Sequence, residues 1–123
     1  MKYSTEIIID QPRGKIIEVF EDSSLLPHWQ RGLKRSRVVS GTEGEVGSKR
    51  KLYITMEGQS IKMTETIIKK NLPEEWHGKY TSKGMKSLQQ NYFEALSDHQ
   101  TKWTSYSEFE FSGFMKLISK LLP

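Results

Sequence analysis

Residues Thr101–Phe111 read TKWTSYSEFEF and show the strictest two-residue alternation in the chain. One face carries Trp103, Ser105, Ser107, Phe109 and Phe111, and the other carries Lys102, Thr104, Tyr106, Glu108 and Glu110. Successive side chains of a strand point to opposite sides of a sheet. The pattern therefore predicts a strand with one face against a core and the other in solvent.

The sequence before this strand repeats the same pattern between short turns. Strands are predicted at 2–10, 34–40, 46–57, 60–70, 75–82 and 86–96, with turns at Gly58-Gln59, Asn71-Leu72-Pro73, Lys83-Gly84 and Ser97-Asp98-His99-Gln100. In the first strand Tyr3, Thr5, Ile7 and Ile9 are expected to face the core. Parallel strands need long crossover connections, so seven strands joined mostly by short turns predict one antiparallel sheet.

Helical patterns occur at two places. Pro12 suits the start of a short helix that carries Ile16, Ile17, Val19 and Phe20, and Asp22 and Ser23 can cap a second short helix that ends near Pro27. After Gly113, the residues Phe114, Leu117, Ile118, Leu121 and Leu122 form an apolar stripe at helical spacing. The predicted fold class is α+β, with the last helix packed on the sheet.

Composition narrows the class of protein. The 123 residues predict a single domain, 1–123, of a size that builds its own core. The absence of cysteine excludes disulfides, thiolate metal sites and a cysteine nucleophile. The longest apolar run, Ile7-Ile8-Ile9, is too short for a membrane span, and Glu6 and Asp10 interrupt any signal-peptide core. We expect a cytoplasmic protein.

The net charge of +4 reflects two basic clusters. They are Arg31, Lys34, Arg35 and Arg37, and then Lys49, Arg50 and Lys51. On a strand, Arg50 would point away from Lys49 and Lys51, and acidic residues are interleaved elsewhere. This favours a solvated basic rim over a nucleic-acid site, while binding to an acidic partner stays open.

Short motifs along the whole chain resemble the START-like, or SRPBCC, superfamily, which includes polyketide cyclase/dehydrase-like and birch-pollen-allergen-like helix-grip proteins. The matching segments are Ile7-Ile8-Ile9-Asp10-Gln11-Pro12 with Ile17 and Val19-Phe20, Asp22 to Leu33 around Pro27-His28-Trp29, Val46-Gly47-Ser48, and Thr101-Lys102-Trp103-Thr104 with Gly113. The resemblance implies a seven-stranded sheet gripping a C-terminal helix. In the family that helix runs for twenty or more residues, so we expect the chain to lack part of it.

The resemblance also implies a ligand cavity between sheet and helix. Inward alternation predicts its apolar lining: Leu52, Ile54, Met56, Met63, Trp76, Tyr80, Trp103, Phe109 and Phe111 from strands, and Phe114, Leu117, Ile118 and Leu121 from the helix. The same set is typical of a filled core, because protein interiors are close-packed. Ser105 and Ser107 are small residues on the inward face of their strand. Either they leave space unfilled in the cavity, or they face a filled core and their hydroxyls are hydrogen-bonded to the backbone.

Polar residues predicted to face inward are Arg50, Glu65, Gln89 and Asn91. Three arrangements are open for Arg50 and Glu65. They form a buried ion pair, they both face the cavity, or they are both exposed because the register differs by one residue. By analogy with family enzymes, Glu65 is the candidate general base and Arg50 the candidate group that polarises a carbonyl. His28, His77 and His99 have no metal-like spacing and are interpreted as surface or structural residues, with His77 facing outward.

Three functions follow as hypotheses. The first is binding of a hydrophobic or amphipathic small molecule, such as a lipid, isoprenoid or polyketide-like compound, without conversion and without a cofactor or metal. The second is a cyclase/dehydratase or hydrolase of the SRPBCC kind. The third is a protein-interaction module such as a chaperone-ATPase activator. The expected partner is the small molecule; nucleic acid and a membrane span are not expected, and a homodimer is left open.

Overall fold

The computed structural model describes residues 2–25, 32–56 and 58–111. Its elements are strand β1 (Lys2–Ile9), helix α1 (Arg13–Glu21), a single 3₁₀ turn (Ser23–Leu25), and strands β2 (Leu33–Ser40), β3 (Lys49–Met56), β4 (Gln59–Asn71), β5 (Glu75–Ser82), β6 (Met85–Ala95) and β7 (Thr101–Phe111). Each of the seven predicted strands is present. The bounds of β5 and β7 agree with the prediction residue for residue.

The strands form one antiparallel sheet in the order β1-β7-β6-β5-β4-β3-β2. From β2 to β7 each strand pairs with its neighbour in sequence, as short turns require. β1 instead lies beside β7 at the far edge, so α1 and the turn after it lead the chain to the opposite edge of the sheet. A seven-stranded antiparallel open sheet with a helix on it is the helix-grip arrangement.

The predicted start of β3 at residue 46 is wrong. The backbone N–H of Ser48 donates to the carbonyl of Glu45, and Gly47 has a φ of 89°. A positive φ is favourable for glycine and takes the backbone out of the extended conformation. Residues 46–48 therefore belong to the loop before β3, and the strand begins at Lys49.

Helix α1 packs its apolar side on the inner face of the sheet. Ile17 is buried, and the ring of Phe20 meets those of Trp76, Phe93 and Trp103 edge-on, with centroids 5.3, 5.2 and 5.8 Å away. Edge-to-face contacts at these distances suit the charge distribution of aromatic rings. They attach the helix to β5, β6 and β7.

The second predicted helix is reduced to one 3₁₀ turn in the part of the chain that the structure describes. The carboxylate of Asp22 accepts hydrogen bonds from the backbone N–H and the hydroxyl of Ser24, at 3.0 and 2.6 Å. Asp22 thus caps this turn, as an aspartate before a helix is expected to do. Residues 26–31 and the predicted C-terminal helix at 114–122 lie outside the described residues.

The inner face of the sheet holds most of the core. Leu33 and Leu52 are buried and contact Ile54, Met63 and Tyr80. The expectation that β1 contributes a buried face is wrong for Tyr3 and Ile7, whose exposures are 51% and 55%. They do face inward, but they form the side of an open concavity rather than filling a core.

Gly78 is the position on this face where a side chain does not fit. A Cβ added there would lie 2.8 Å from Cζ3 of Trp76 and 3.2 Å from Cε2 of Tyr80. Both rings lie across β5 over the space that a methyl group would occupy. The absence of a side chain at Gly78 therefore allows the rings of Trp76 and Tyr80 to pack closely against the sheet.

We expect Gly78→Ala to lower the free energy of unfolding by about 1–3 kcal/mol, because the Trp76 ring must move to accept the methyl group. Urea denaturation followed by tryptophan fluorescence measures the change. Gly14→Ala in the first turn of α1 is the control, since nothing lies within 4 Å of its added Cβ. Equal stability of the Gly78 variant and the unmodified protein would contradict this packing.

Candidate functional site

A concave space of about 490 Å³ lies over the inner face of the sheet, beside α1. Ten of the fourteen residues predicted to bind a ligand line it: Leu52, Ile54, Met63, Trp76, Tyr80, Gln89, Trp103, Ser105, Ser107 and Phe109. Leu117, Leu121 and the side chain of Met56 lie outside the described residues, as do Phe111's side chain, Phe114 and Ile118. The fourteenth residue, Asn91, does not line the cavity.

Register places four polar residues in one row across the inner face. Arg50 on β3 is opposite Glu65 on β4, Glu65 is opposite Tyr80 on β5, and Tyr80 is opposite Ser87 on β6. Residues directly opposite on neighbouring strands have Cβ atoms about 4.5–5.5 Å apart. All four side chains line the cavity, so its wall contains a continuous polar row.

Glu65 is the buried carboxyl of this row, with 8% of its surface exposed. Burial raises its pKa, because a carboxylate loses its hydration there, while the hydrogen bond from Tyr80 and the charge of Arg50 oppose the rise. Burial and the neighbouring Glu65 carboxyl raise the pKa of Tyr80 well above its ordinary value. Tyr80 therefore stays a neutral phenol that donates to Glu65.

Arg50 is held by residues other than Glu65. Its Nη1 donates to the hydroxyl of Ser36 at 2.9 Å, and its Nη2 forms an ion pair with Glu43. The guanidinium group thus faces the cavity from a fixed position beside Glu65. The alternative in which Arg50 and Glu65 are both exposed does not occur, and the ion pair recorded for Arg50 is with Glu43 instead of Glu65.

Asn91 corrects the predicted lining, because it lies beneath the cavity wall. It is 1% exposed and sits between Trp76 on β5 and Ser105 on β7 in the sheet register. Its Oδ1 accepts a hydrogen bond of 2.9 Å from the indole N–H of Trp103. The Nδ2 of Asn91 and the hydroxyl of Ser105 are buried and have no hydrogen-bond partner among the described residues.

Sequence reasoning missed part of the wall. Ile67 and Ser87 line the cavity and have the inward phase of strands whose other inward residues were predicted to line it, and Thr5 lines it from β1, whose inward face was predicted to pack on the core. Glu43 also lines it, but it comes from the loop before β3. No periodic signal marks a loop residue, so its approach to Arg50 required the folded chain.

Charged residues are unevenly distributed over the outer face of the sheet. On strands β2 to β5 it carries seven cations, Arg35, Arg37, Lys49, Lys51, Lys62, Lys69 and Lys79, and one carboxylate, Glu75, among the described residues. Tyr53 lies among them, with the guanidinium group of Arg35 4.2 Å from its ring centroid. The predicted basic rim therefore contains fewer interleaved acidic residues than the sequence indicated. Arg31, which was predicted to belong to it, lies outside the described residues.

The two histidines of the described residues, His77 and His99, do not form a metal site. His77 faces outward as predicted, but it is buried, with Nε2 2.9 Å from Glu75 and its ring against Tyr92. His99 is exposed in the loop before β7, and His28 lies outside the described residues. Within residues 2–25, 32–56 and 58–111, no group of three or more His, Asp or Glu side chains is placed to hold a metal ion.

The helix that the structure describes is too short to cross a membrane.

Comparisons with solved structures find the same fold. Ara h 8.0201 has a TM-score of 0.76 at 15% identity, covering 98% of this chain and 87% of the other. The Zhui aromatase/cyclase from Streptomyces sp. R1128 has a TM-score of 0.78 at 10% identity, covering 92% and 69%. A START superfamily protein from Mycobacterium smegmatis has a TM-score of 0.77 at 15% identity, covering 98% and 85%.

No protein-family model matches the sequence, and no curated protein matches it significantly. The structural likenesses have low sequence identity, so what they establish is the fold. The helix-grip fold indicated by the sequence motifs is confirmed at that level.

Glu65 gives a prediction for the pH dependence of stability. Its folded-state pKa is raised above the ordinary value of 4.5. Its contribution to stability is therefore complete below that value and is lost as the pH rises through the folded-state pKa. Glu65→Gln does not titrate, so its free energy of unfolding relative to the unmodified protein should increase from pH 4 to pH 8, as measured by urea denaturation.

Glu75→Gln is the matched control. The hydrogen bond from Lys69, with Nζ 2.8 Å from the carboxylate, and then the contact with His77 lower the pKa of Glu75. Its contribution is present above the ordinary value and is lost as the pH falls. The relative stability of this variant should therefore change in the opposite direction. Parallel curves for the two variants would contradict the burial of Glu65.

Proposed function

We propose that this protein binds an apolar or amphipathic small molecule, of the size of a lipid, isoprenoid or polyketide-like compound, in the cavity over the inner face of its sheet. The observation that carries the proposal is the cavity itself, about 490 Å³ with aliphatic and aromatic walls and one polar row. Ligand sites in proteins are typically concave, mostly apolar and provided with few polar groups.

The chemistry of the wall supports an amphipathic ligand. Leu52, Ile54 and Met63 present hydrocarbon surface, which is stabilised by contact with an apolar molecule in place of water. Arg50 and Glu65 lie in the same wall and are held by Ser36, Glu43 and Tyr80. Polar groups fixed in this way orient a ligand without a large loss of side-chain entropy.

A cavity-filling substitution tests the proposal. Ser107 is buried on the inner face of β7, so Ser107→Phe should fill part of the cavity and weaken binding at least tenfold. Binding is measured by titration with 1-anilinonaphthalene-8-sulfonate and by the thermal shifts that long-chain alcohols and polyaromatic compounds produce.

Thr104→Phe is the control, because Thr104 lies on the same strand but on the outer face. It should leave the affinity of each probe unchanged. If no probe binds the unmodified protein, or if both variants bind as it does, ligand binding in this cavity is contradicted.

A cyclase or dehydratase is the second candidate, and one observation favours it. Glu65 and Arg50 line the same cavity side by side, with the pKa of Glu65 raised by burial. A carboxylate of raised pKa is a better general base near neutral pH, and a guanidinium group stabilises the enolate oxygen formed when a carbonyl compound loses an α-proton. The reaction class would be intramolecular aldol condensation of a polyketone.

Incubation with a synthetic linear triketone tests this candidate. We expect cyclisation faster than in buffer, and Glu65→Gln should reduce the rate by about 10²- to 10⁴-fold, the usual contribution of a general base. Glu75→Gln on the outer face should keep the full rate. Absence of acceleration by a protein that binds the triketone would contradict catalysis and leave the binding function intact.

A further inference from the structure

Seven cations lie on the outer face of strands β2 to β5, and we call this surface the cationic face. Register places two of them in each of three successive rows across the sheet, and the seventh follows beyond the third row on β4. With strands about 4.8 Å apart and about 3.3 Å per residue, the cations spread over about 14 by 20 Å. The row pairs are Arg35 with Lys62, Arg37 with Lys51, and Lys49 with Lys79, and the seventh cation is Lys69.

Little negative charge neutralises the cationic face. Within residues 2–25, 32–56 and 58–111, Lys69 is the one member of the face that forms an ion pair, with its Nζ 2.8 Å from the carboxylate of Glu75. Lys51 is half-buried, and the other six cations are exposed. The positive charges therefore face solvent and are available to an external anion.

The phenol of Tyr53, which lies among these cations, reflects the positive potential of the face. Burial acts to raise the pKa of Tyr53, but the hydrogen bond with Arg37 and then the charges of Arg37, Lys51 and Arg35 outweigh it and lower the pKa. Nearby cations favour the ionised form of an acidic group. A negative group that approaches this face is stabilised by the same charges.

Hydroxyl-bearing residues accompany the cations on the outer face. Hydroxyl groups, like Lys and Arg, donate hydrogen bonds to phosphate oxygens. The exposed aliphatic residues of the described parts of β2 to β5 are Val39 and Ile68, and both lie at register shifts. The hydroxyl-bearing residues are Ser40, Thr55, Ser60, Thr64, Thr66 and Thr81.

This composition distinguishes between classes of anionic partner. The cores of stable protein–protein interfaces are depleted in lysine and enriched in aromatic residues, which is the opposite of this face. Single-stranded nucleic acid is held by stacking on aromatic rings, and the guanidinium group of Arg35 lies 4.2 Å from the ring centroid of Tyr53. The major groove of DNA admits a helix or a two-stranded ribbon, whereas the cations here span four paired strands.

We propose that the cationic face binds the surface of a membrane that contains anionic lipids. Its lysines and arginines contact the phosphate and carboxylate groups of the lipid headgroups, which attract basic residues in this way. The contact is governed by charge, because the face offers little apolar surface for insertion into hydrocarbon. The inference goes beyond the proposed ligand binding and does not depend on it.

Co-sedimentation with vesicles tests the inference, with phosphatidylcholine containing about 30% phosphatidylserine and, for comparison, phosphatidylcholine alone. We expect binding to the first kind of vesicle only, and at least about tenfold weaker binding at about 500 mM salt than at about 50 mM. Each lysine or arginine near an anionic surface contributes about fivefold in affinity, so Lys62→Gln combined with Lys79→Gln should weaken binding about 25-fold.

Lys2→Gln combined with Lys15→Gln is the control, because it removes two lysines from β1 and α1, outside the cationic face. It lowers the net charge of +4 by the same amount and should change the affinity by less than about threefold. Equal circular dichroism spectra and equal urea midpoints of the two double variants establish that both are folded.

Four results would overturn the inference. The unmodified protein binds neither kind of vesicle, it binds both kinds equally, the two double variants lose affinity equally, or the protein binds a synthetic polynucleotide and not the anionic vesicles. Titration of the cavity with 1-anilinonaphthalene-8-sulfonate judges the proposed ligand binding separately, so the failure of one proposal is distinguishable from the failure of the other.

Discussion

The alternation of side chains across one antiparallel ladder is the constraint from which the site follows. Strands β3, β5, β6 and β7 present every second residue to the inner face, and β4 does so as far as the register shift between Ile67 and Lys69, so register decides which side chains meet. Arg50, Glu65 and Tyr80 become neighbours through this register alone, although they are spread over three strands. A shift of one residue in any of these strands would turn its polar and apolar residues to the opposite faces.

Polar groups and apolar packing have opposite effects on stability at this inner face. A buried carboxyl such as Glu65, and unpaired donors such as those of Asn91 and Ser105, each reduce the free energy of unfolding. Phe20 and its aromatic neighbours provide the opposing packing at one end of the sheet. The total stability of a domain is only about 5–15 kcal/mol, so the cost of these polar groups is a noticeable fraction of it.

The parts of the fold that repeat along the chain were predictable, and the parts that depend on loops were not. The bounds of β5 and β7 and the inward phase of Trp103 and Ser107 follow from alternation. The start of β3 does not, because Gly47 adopts a positive φ inside a segment whose composition is strand-like. The pairing of Arg50 with Glu43 likewise depends on the path of a loop, which has no periodicity.

Asn91 shows a further limit of sequence reasoning. Alternation correctly assigns it to the inner face, but it does not distinguish a side chain on the wall from one covered by its neighbours. The large ring of Trp76 flanks it on one side, and its own hydrogen bond to Trp103 keeps it low against the sheet. Depth within a face is a property of packing in three dimensions, and a pattern of period two does not contain it.

The uneven distribution of charge on the outer face has an electrostatic consequence that does not depend on the cavity. Seven cations gather on the outer face of strands β2 to β5, whereas on β1 and β7 lysines and glutamates pair locally, as in Lys102 with Glu6 and Lys2 with Glu108. This arrangement contributes a dipole moment directed across the strands. In an external field this contribution favours turning the β2 edge of the molecule toward negative charge, within a Debye length of about 8 Å at physiological salt and before any contact forms.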